Sequence, residues 1–318
     1  MRRTLATTGA LLLLAASGAA LLRGNAPAAA VAAPPPPAPP AAAPPAAPER
    51  LAPPPAVIDE SSGLAASFER PGWLWTCNDS AGGEVLARWN PADAGSSEAF
   101  TLAGVRNRDW EDLASFEAGG RRFLLVADVG DNTRSRRDAT LHFVEEPPAG
   151  ADPATPLPVL LSVPVAFGDG ARDCEAVAVD ATRGLILLGS KEIDQRGETF
   201  GASGLYALPL PEMPPPGQPA GRDPLVRLDR VGVLPTMMPT GMDVSPDGSR
   251  LAICTYGDAM VFGCGAGGSW AEVVAGEPER LRTPPRRQGE ALAFCLDGAS
   301  LYFTSEGAGQ PTWRVPLE

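Results

Sequence analysis

Five short stretches decide how this chain folds: Ser62-Gly63-Leu64-Ala65, Glu111-Asp112-Leu113-Ala114, Glu175-Ala176-Val177-Ala178, Thr240-Gly241-Met242-Asp243 and Glu290-Ala291-Leu292-Ala293. Each opens on an oxygen-bearing side chain, runs as a short apolar strand and is followed by a turn and a second apolar strand. The second strands also end alike, at Cys77-Asn78-Asp79, Ala127-Asp128, Ser190-Lys191-Glu192, Thr255-Tyr256 and Ser305-Glu306. The opening residues are 49, 64, 65 and 50 positions apart, a spacing that holds a four-stranded blade with loop insertions. A third run follows in each repeat, such as Val85–Trp89 or Thr312–Val315, and a fourth in four of them, such as Ala99–Leu102 and Val159–Ser162.

The predicted fold is therefore all-β: a five-bladed β-propeller of four-stranded blades over residues 56–318. The last repeat stops after its third strand, so Ala56-Val57-Ile58 is expected to supply the missing outer strand and close the ring. A two-sheet sandwich and a six-bladed ring are the alternatives. Ser245-Pro246-Asp247-Gly248 and Leu296-Asp297-Gly298 read as turns between first and second strands. Ser269–Val274 reads as an outer strand, so the glycine-rich run Gly263–Gly268 is a turn and not a dinucleotide loop, which needs a following helix.

Ahead of the repeats, Met1-Arg2-Arg3 and the apolar run Leu11–Leu22 have the pattern of a secretory signal, with an uncleaved membrane anchor as the alternative, over residues 1–24. Residues 25–55 are mostly Ala and Pro, a composition suited to a disordered spacer. The chain is thus expected to be exported, periplasmic or extracellular, or membrane-anchored through this segment, and monomeric.

The 318 residues hold 38 Asp+Glu against 26 Lys+Arg, a net charge of −12. Residues 1–48 contain three Arg and no acid, so the remainder carries 23 basic and 38 acidic residues, a net of −15. Without a basic block, nucleic acid is excluded as a partner. One histidine, His142, falls in a predicted third strand and is read as a packing residue, which argues against imidazole triads and zinc catalysis. Among five cysteines, Cys254 and Cys264 flank a hairpin and form the most plausible disulfide pair.

In a propeller the first strand of each blade lines the channel. Ser62, Glu111, Glu175, Thr240 and Glu290 are then expected to form one ring of three carboxylates and two hydroxyls. Like charges so confined call for a cation, and hard oxygen ligands suit Ca²⁺; hydrogen bonds to neighbouring backbone amides are the alternative role. The second-strand ends give an outer ring of Asp79, Asp128, Lys191, Tyr256 and Glu306, with Asp131, Asn132 and Glu192 beside it. Asp128, Asp131, Lys191 and Glu306 are the catalytic candidates. Lys191, the sole lysine, binds an anion or neutralises an adjacent carboxylate; Asp128 and Asp131 activate water, hold a second metal or cap a turn.

The order Ser, Glu, Glu, Thr, Glu resembles the calcium-activated nucleotidases (apyrases), five-bladed propellers whose central calcium is ringed by Ser, Glu, Glu, Ser and Glu. Gly189-Ser190-Lys191-Glu192 and Gln288-Gly289-Glu290-Ala291 are similar to that family's Gly-Lys-Glu and Glu-Gly stretches. Asp109–Leu113, Asp128–Asn132 and Thr304–Gly307 resemble exported bacterial phytase-like and esterase-like propellers. The resemblance implies a calcium-dependent hydrolase of phosphate anhydrides or esters with a small anionic substrate. Open alternatives are a non-catalytic cell-surface scaffold that binds a protein partner, and a lactonase-like ester hydrolase. The apyrase nucleotide-binding motifs are not present.

Overall fold

Alternating apolar residues separated by Gly, Pro and Asp turns produce strands almost throughout. The computed structural model describes residues 47–79, 82–194, 196–218 and 221–317; the expected signal segment and residues 25–46 of the spacer lie outside them. After β1 (Glu49–Leu51) come β2 (Ser61–Ala66), β3 (Leu74–Asn78), β4 (Val85–Trp89) and β5 (Ser97–Ala103). The next four are β6 (Trp110–Ala118), β7 (Arg121–Asp128), β8 (Ala139–Glu145) and β9 (Leu157–Phe167). Then follow β10 (Asp173–Asp180), β11 (Leu185–Lys191), β12 (Gly204–Pro209), the short β13 (Gly221–Arg222) and β14 (Val226–Leu228), and β15 (Arg230–Val233). Last are β16 (Gly241–Val244), β17 (Arg250–Cys254), β18 (Ala259–Gly263), α1 (Trp270–Val273), β19 (Glu279–Leu281), β20 (Gly289–Phe294), β21 (Ser300–Ser305) and β22 (Thr312–Pro316).

The pairings give antiparallel four-strand units in the orders β2-β3-β4-β5, β6-β7-β8-β9, β10-β11-β12-β15, β16-β17-β18-β19 and β20-β21-β22-β1. The first two units merge into one sheet where β5 runs parallel to β9 at Leu102↔Leu157. The apolar core is divided among clusters that lie between neighbouring units. Trp75 and Phe100 pack with Trp110 and Leu124, Leu125 and Phe143 with Leu188 and Tyr206, and Leu187 and Leu205 with Met260 and Trp270. Val261 then packs with Phe303, and Tyr302 returns to Leu64 and Trp89 of the first unit. The units are thus joined cyclically, which is the construction of a β-propeller.

Small residues allow the inner strands to approach. A Cβ on Gly63 would overlap the backbone of Leu113, and one on Gly241 would sit 2.8 Å from the Glu290 carbonyl. Carboxylates, buried at Asp112 and half-buried at Asp243, tie one inner strand to the next. Asp112 accepts backbone N–H bonds from Val177 at 2.7 Å and Met242 at 3.2 Å, and Asp243 accepts one from Phe294 at 2.8 Å.

Three sequence expectations are corrected. The closing strand is Glu49–Leu51, paired with β22 through Arg50↔Trp313, whereas Ala56–Ile58 forms no strand. Glu49, Arg50 and Leu51 offer amide protons, while the following Pro53–Pro55 cannot donate. Ser269–Val274 contains the helix α1, with the Ser269 side chain capping Glu272 N–H; the Ser-x-x-Glu capping signal outweighs the β-like run, and β19 takes the outer-strand place. Cys254 and Cys264 are not bonded, and all five cysteines are free and buried. Cys254 faces Ala259 at the turn end of the β17–β18 hairpin, whereas Arg250 pairs with Gly263 at the far end, which puts the two thiols at opposite ends.

Candidate functional site

The inner strands bring their opening residues to one end of the channel, where the second strands finish. Cross-strand partners fix this: Ser61↔Asn78, Trp110↔Asp128, Asp173↔Lys191, Gly241↔Cys254 and Gly289↔Ser305. In four of the inner strands the register slips around the ring residue, between Ser61 and Leu64, Trp110 and Asp112, Cys174 and Ala176, and Gly289 and Leu292. Ser62, Glu111, Glu175 and Glu290 therefore occupy β-bulges, which release a residue from the ladder and re-aim its side chain. Thr240 immediately precedes β16.

All five ring residues are buried. Ser62 Oγ donates to the Glu111 carbonyl at 2.8 Å and lies 3.3 Å from Glu111 Oε2. Thr240 Oγ1 donates to the Gly289 carbonyl at 2.9 Å, and Gln288 Nε2 to Glu290 Oε1 at 2.8 Å. Lys191 is ion-paired with Glu175 and donates to the Tyr256 hydroxyl at 3.0 Å. Burial alone would lower the lysine's pKa, but Glu175 and Tyr256 more than offset it and keep the ammonium charged.

The tightest acidic group is shifted from that ring. Among the described residues, Asp79, Asp109 and Glu111 are the acids whose ligand atoms all lie within 4.8 Å of one another. Two oxygens bound to one calcium at about 2.4 Å are at most about 4.8 Å apart, so the three oxygens fit around one such ion. The donor set is oxygen only, without thiolate or imidazole, which disfavours zinc. Gly130 makes room: a Cβ there would overlap the carboxylates of Glu111 and Asp109. Burial, then Glu175, Asp79 and Asp109, push Glu111 well above the usual carboxylate range. Burial and Asp79 raise Asp109 to about 7. Burial and Glu175 raise Glu290 to about 9, and burial raises Glu306 as well.

The other mouth residues are largely engaged. Asp128 accepts from Arg136 Nη2 at 2.7 Å and Arg108 N–H at 3.3 Å. Asp131 accepts from Arg136 N–H at 2.7 Å and Thr133 Oγ1 at 3.2 Å, the bonding of a turn. Glu192 accepts from Ser190 Oγ at 2.9 Å and faces Arg172 at 3.5 Å. Asn132 is exposed. His142 lies in β8 with Nδ1 2.9 Å from Ser162 Oγ, and burial lowers its pKa to about 4, so it packs as a neutral ring.

Asp109 is the site residue that sequence reasoning passed over. Its signal was a repeated offset: Asp109 stands two residues before Glu111, as Asp173 stands before Glu175 and Gln288 before Glu290, so three repeats carry a polar side chain at the same place.

No family model and no curated protein matches the chain. Among solved structures, it is similar to a chain of the nidogen/laminin complex, with 14% identity and a TM-score of 0.42 over 77% of this chain and 72% of that one. It is also similar to U3-55K, with 14% identity and a TM-score of 0.36 over 81% and 68%, and to the RRP9 WD40 repeats, with 14% and 0.35 over 81% and 67%. The strand order, not these scores, carries the fold assignment. No helix among the described residues is long and apolar enough to cross a membrane.

Proposed function

We propose that this chain is an exported, five-bladed β-propeller that binds a divalent cation, calcium, at the mouth of its channel and uses it to hold an anionic ligand. The observation that carries the reading is the Asp79–Asp109–Glu111 group, with its carboxylate oxygens within 4.8 Å and room for them beside Gly130. Ser62 and the Glu111 carbonyl stand beside it as further oxygen donors. Five antiparallel units joined in a cycle support the blade number. The Arg-Arg and apolar pattern of the N-terminal segment supports export, and small anionic ligands suit a calcium site better than nucleic acid suits so acidic a chain.

A calcium ion bound there would supply a Lewis acid that polarises a phosphoryl or ester oxygen. The chain's own groups order the surroundings. Lys191, locked to Glu175 and Tyr256, neutralises one carboxylate of the ring instead of reaching for substrate. The ion pair of Asp128 with Arg136 braces the loop that carries Gly130.

A second reading, hydrolysis of phosphate anhydrides or esters, draws on Glu290. Raised to about 9, with Gln288 donating to Oε1, it holds a proton at neutral pH at the channel mouth, where a general acid is needed. The test is turnover of nucleotides, phosphomonoesters and lactones by the full chain with calcium or chelator. Calcium-dependent phosphoester turnover lost in Glu290→Gln supports hydrolysis. Binding of calcium without turnover of any of them leaves a calcium-dependent binding propeller, and absence of calcium binding overturns the proposal.

A further inference from the structure

Beside the mouth, between β9 and the loop that follows β7, lies a cleft of about 380 Å³. Its floor is apolar, formed by the buried Val129, Val165 and Phe167. Its walls carry Arg136, Arg137, Arg172 and Arg227, against two acids, Asp131 and Asp138. Four arginines against two acids line this cleft in a chain of net charge −12.

These arginines are not equivalent. Arg136 is consumed by Asp128 at 2.7 Å and by the Gly130 carbonyl at 2.6 Å, and Arg172 by Asp169 at 3.1 Å and Glu192 at 3.5 Å. Both are held in place, with their charges met by these carboxylates. Asp138 is paired with Arg108 at 3.6 Å, and Asp131 accepts two hydrogen bonds within its own loop. Arg137 and Arg227 are exposed, and neither has an ion-pair partner among the described residues. They approach one cleft from two elements, Arg227 from β14 and Arg137 from the loop before β8.

We propose that this cleft is a binding site for a small organic phosphate monoester, with the phosphate held by Arg137 and Arg227 and the organic group seated on Val165 and Phe167. A phosphate monoester is close to a dianion at neutral pH, which matches the two guanidinium groups, Arg137 and Arg227, that have no ion-pair partner among the described residues. Guanidinium groups bind such oxyanions through paired N–H donors. The volume suits a ligand built on one ring, near the lower end of small-molecule pockets. The site uses none of the Asp79–Asp109–Glu111 oxygens and stands without the cation.

The test uses the full-length chain in chelator, with phenyl phosphate as probe and benzyl alcohol as its uncharged counterpart, read by calorimetric or NMR titration. Phenyl phosphate is expected to bind at about millimolar or lower Kd, to weaken as salt rises, and to be favoured over benzyl alcohol. Arg137→Gln with Arg227→Gln is expected to weaken it at least about tenfold, the loss of charge-assisted hydrogen bonds. Both side chains are exposed, so the melting temperature should be kept; Arg227→Gln alone, expected to give an intermediate loss, serves if the double variant is unstable. No phenyl phosphate binding at about 10 mM, equal binding of benzyl alcohol, or unchanged affinity in the variants would overturn the assignment. Because chelator is present throughout, failure here is distinct from failure of the calcium site.

Discussion

At the scale of single residues, the mouth is shaped by a glycine and by carboxylates kept from their ordinary ionisation. Gly130 has ordinary negative φ, so alanine is permitted by the backbone, but its methyl would meet the side-chain ends of Glu111 and Asp109. Those ends can move at small cost to the fold, and in moving they leave the geometry that suits an ion. Gly130→Ala is expected to melt within a few degrees of the parent while binding calcium at least about tenfold more weakly, a loss of about 1.4 kcal/mol or more. Equal calcium affinity in the variant would contradict the role given to Gly130.

Asp243 offers a separate test of burial, remote from the mouth. Burial raises it from 3.8 to about 7, against the opposing hydrogen bonds from Phe294 and Val244. Between these values the folded chain keeps a proton that the unfolded chain has released, so this group's stabilising contribution is present below pH 3.8 and is lost as pH rises through about 7. Asp243→Asn imitates the protonated form. Urea midpoints are expected to be similar for parent and variant at about pH 3.5, and to favour the variant increasingly as pH rises to about 8. A pH-independent difference would count against the shift.

At the scale of elements, the inner strands are held by buried carboxylates as well as by apolar packing. Asp112 on β6 reaches β10 and β16 through the Val177 and Met242 amides and also accepts from Leu113 N–H at 2.8 Å. Asp112→Ala leaves three buried donors without that acceptor. The expected loss is about 2–4 kcal/mol by urea unfolding, since each orphaned buried group costs about 1–3 kcal/mol before relaxation; a loss below about 0.5 kcal/mol would make the latch incidental. The repeat was legible because in each unit an oxygen side chain at or next to the start of the inner strand is followed by a short run of mostly small and large apolar residues. The bulges at Ser62, Glu111, Glu175 and Glu290 were not legible, because a bulge is set by how two strands pair and leaves no composition of its own. The closing strand was hidden for a different reason: three residues among prolines are too few to show a period, and only the open edge of β22 gives Glu49–Leu51 a partner.

At the scale of the whole molecule, setting consecutive units side by side converts distant residues into neighbours. Asp109 and Glu111 stand two residues apart at the start of β6 of the second unit, and the packing of the first unit beside it brings Asp79, which follows β3, to both. Burial and the neighbouring carboxylates raise Glu111 and Asp109 in pKa, so these two hold protons that a cation would displace. The sequence displayed Glu111 and Asp79 as members of two separate rings, but which carboxylates come within one ion's reach depends on the stagger between those rings. The most direct measurement is calorimetric titration of calcium into the chelator-treated full-length chain at about pH 7.5, in two buffers of different ionisation enthalpy, for the parent and for Glu111→Gln. The account predicts one calcium per chain, proton release on binding, and at least about tenfold weaker binding in Glu111→Gln; no binding at millimolar calcium, or an affinity unchanged by the substitution, would contradict it.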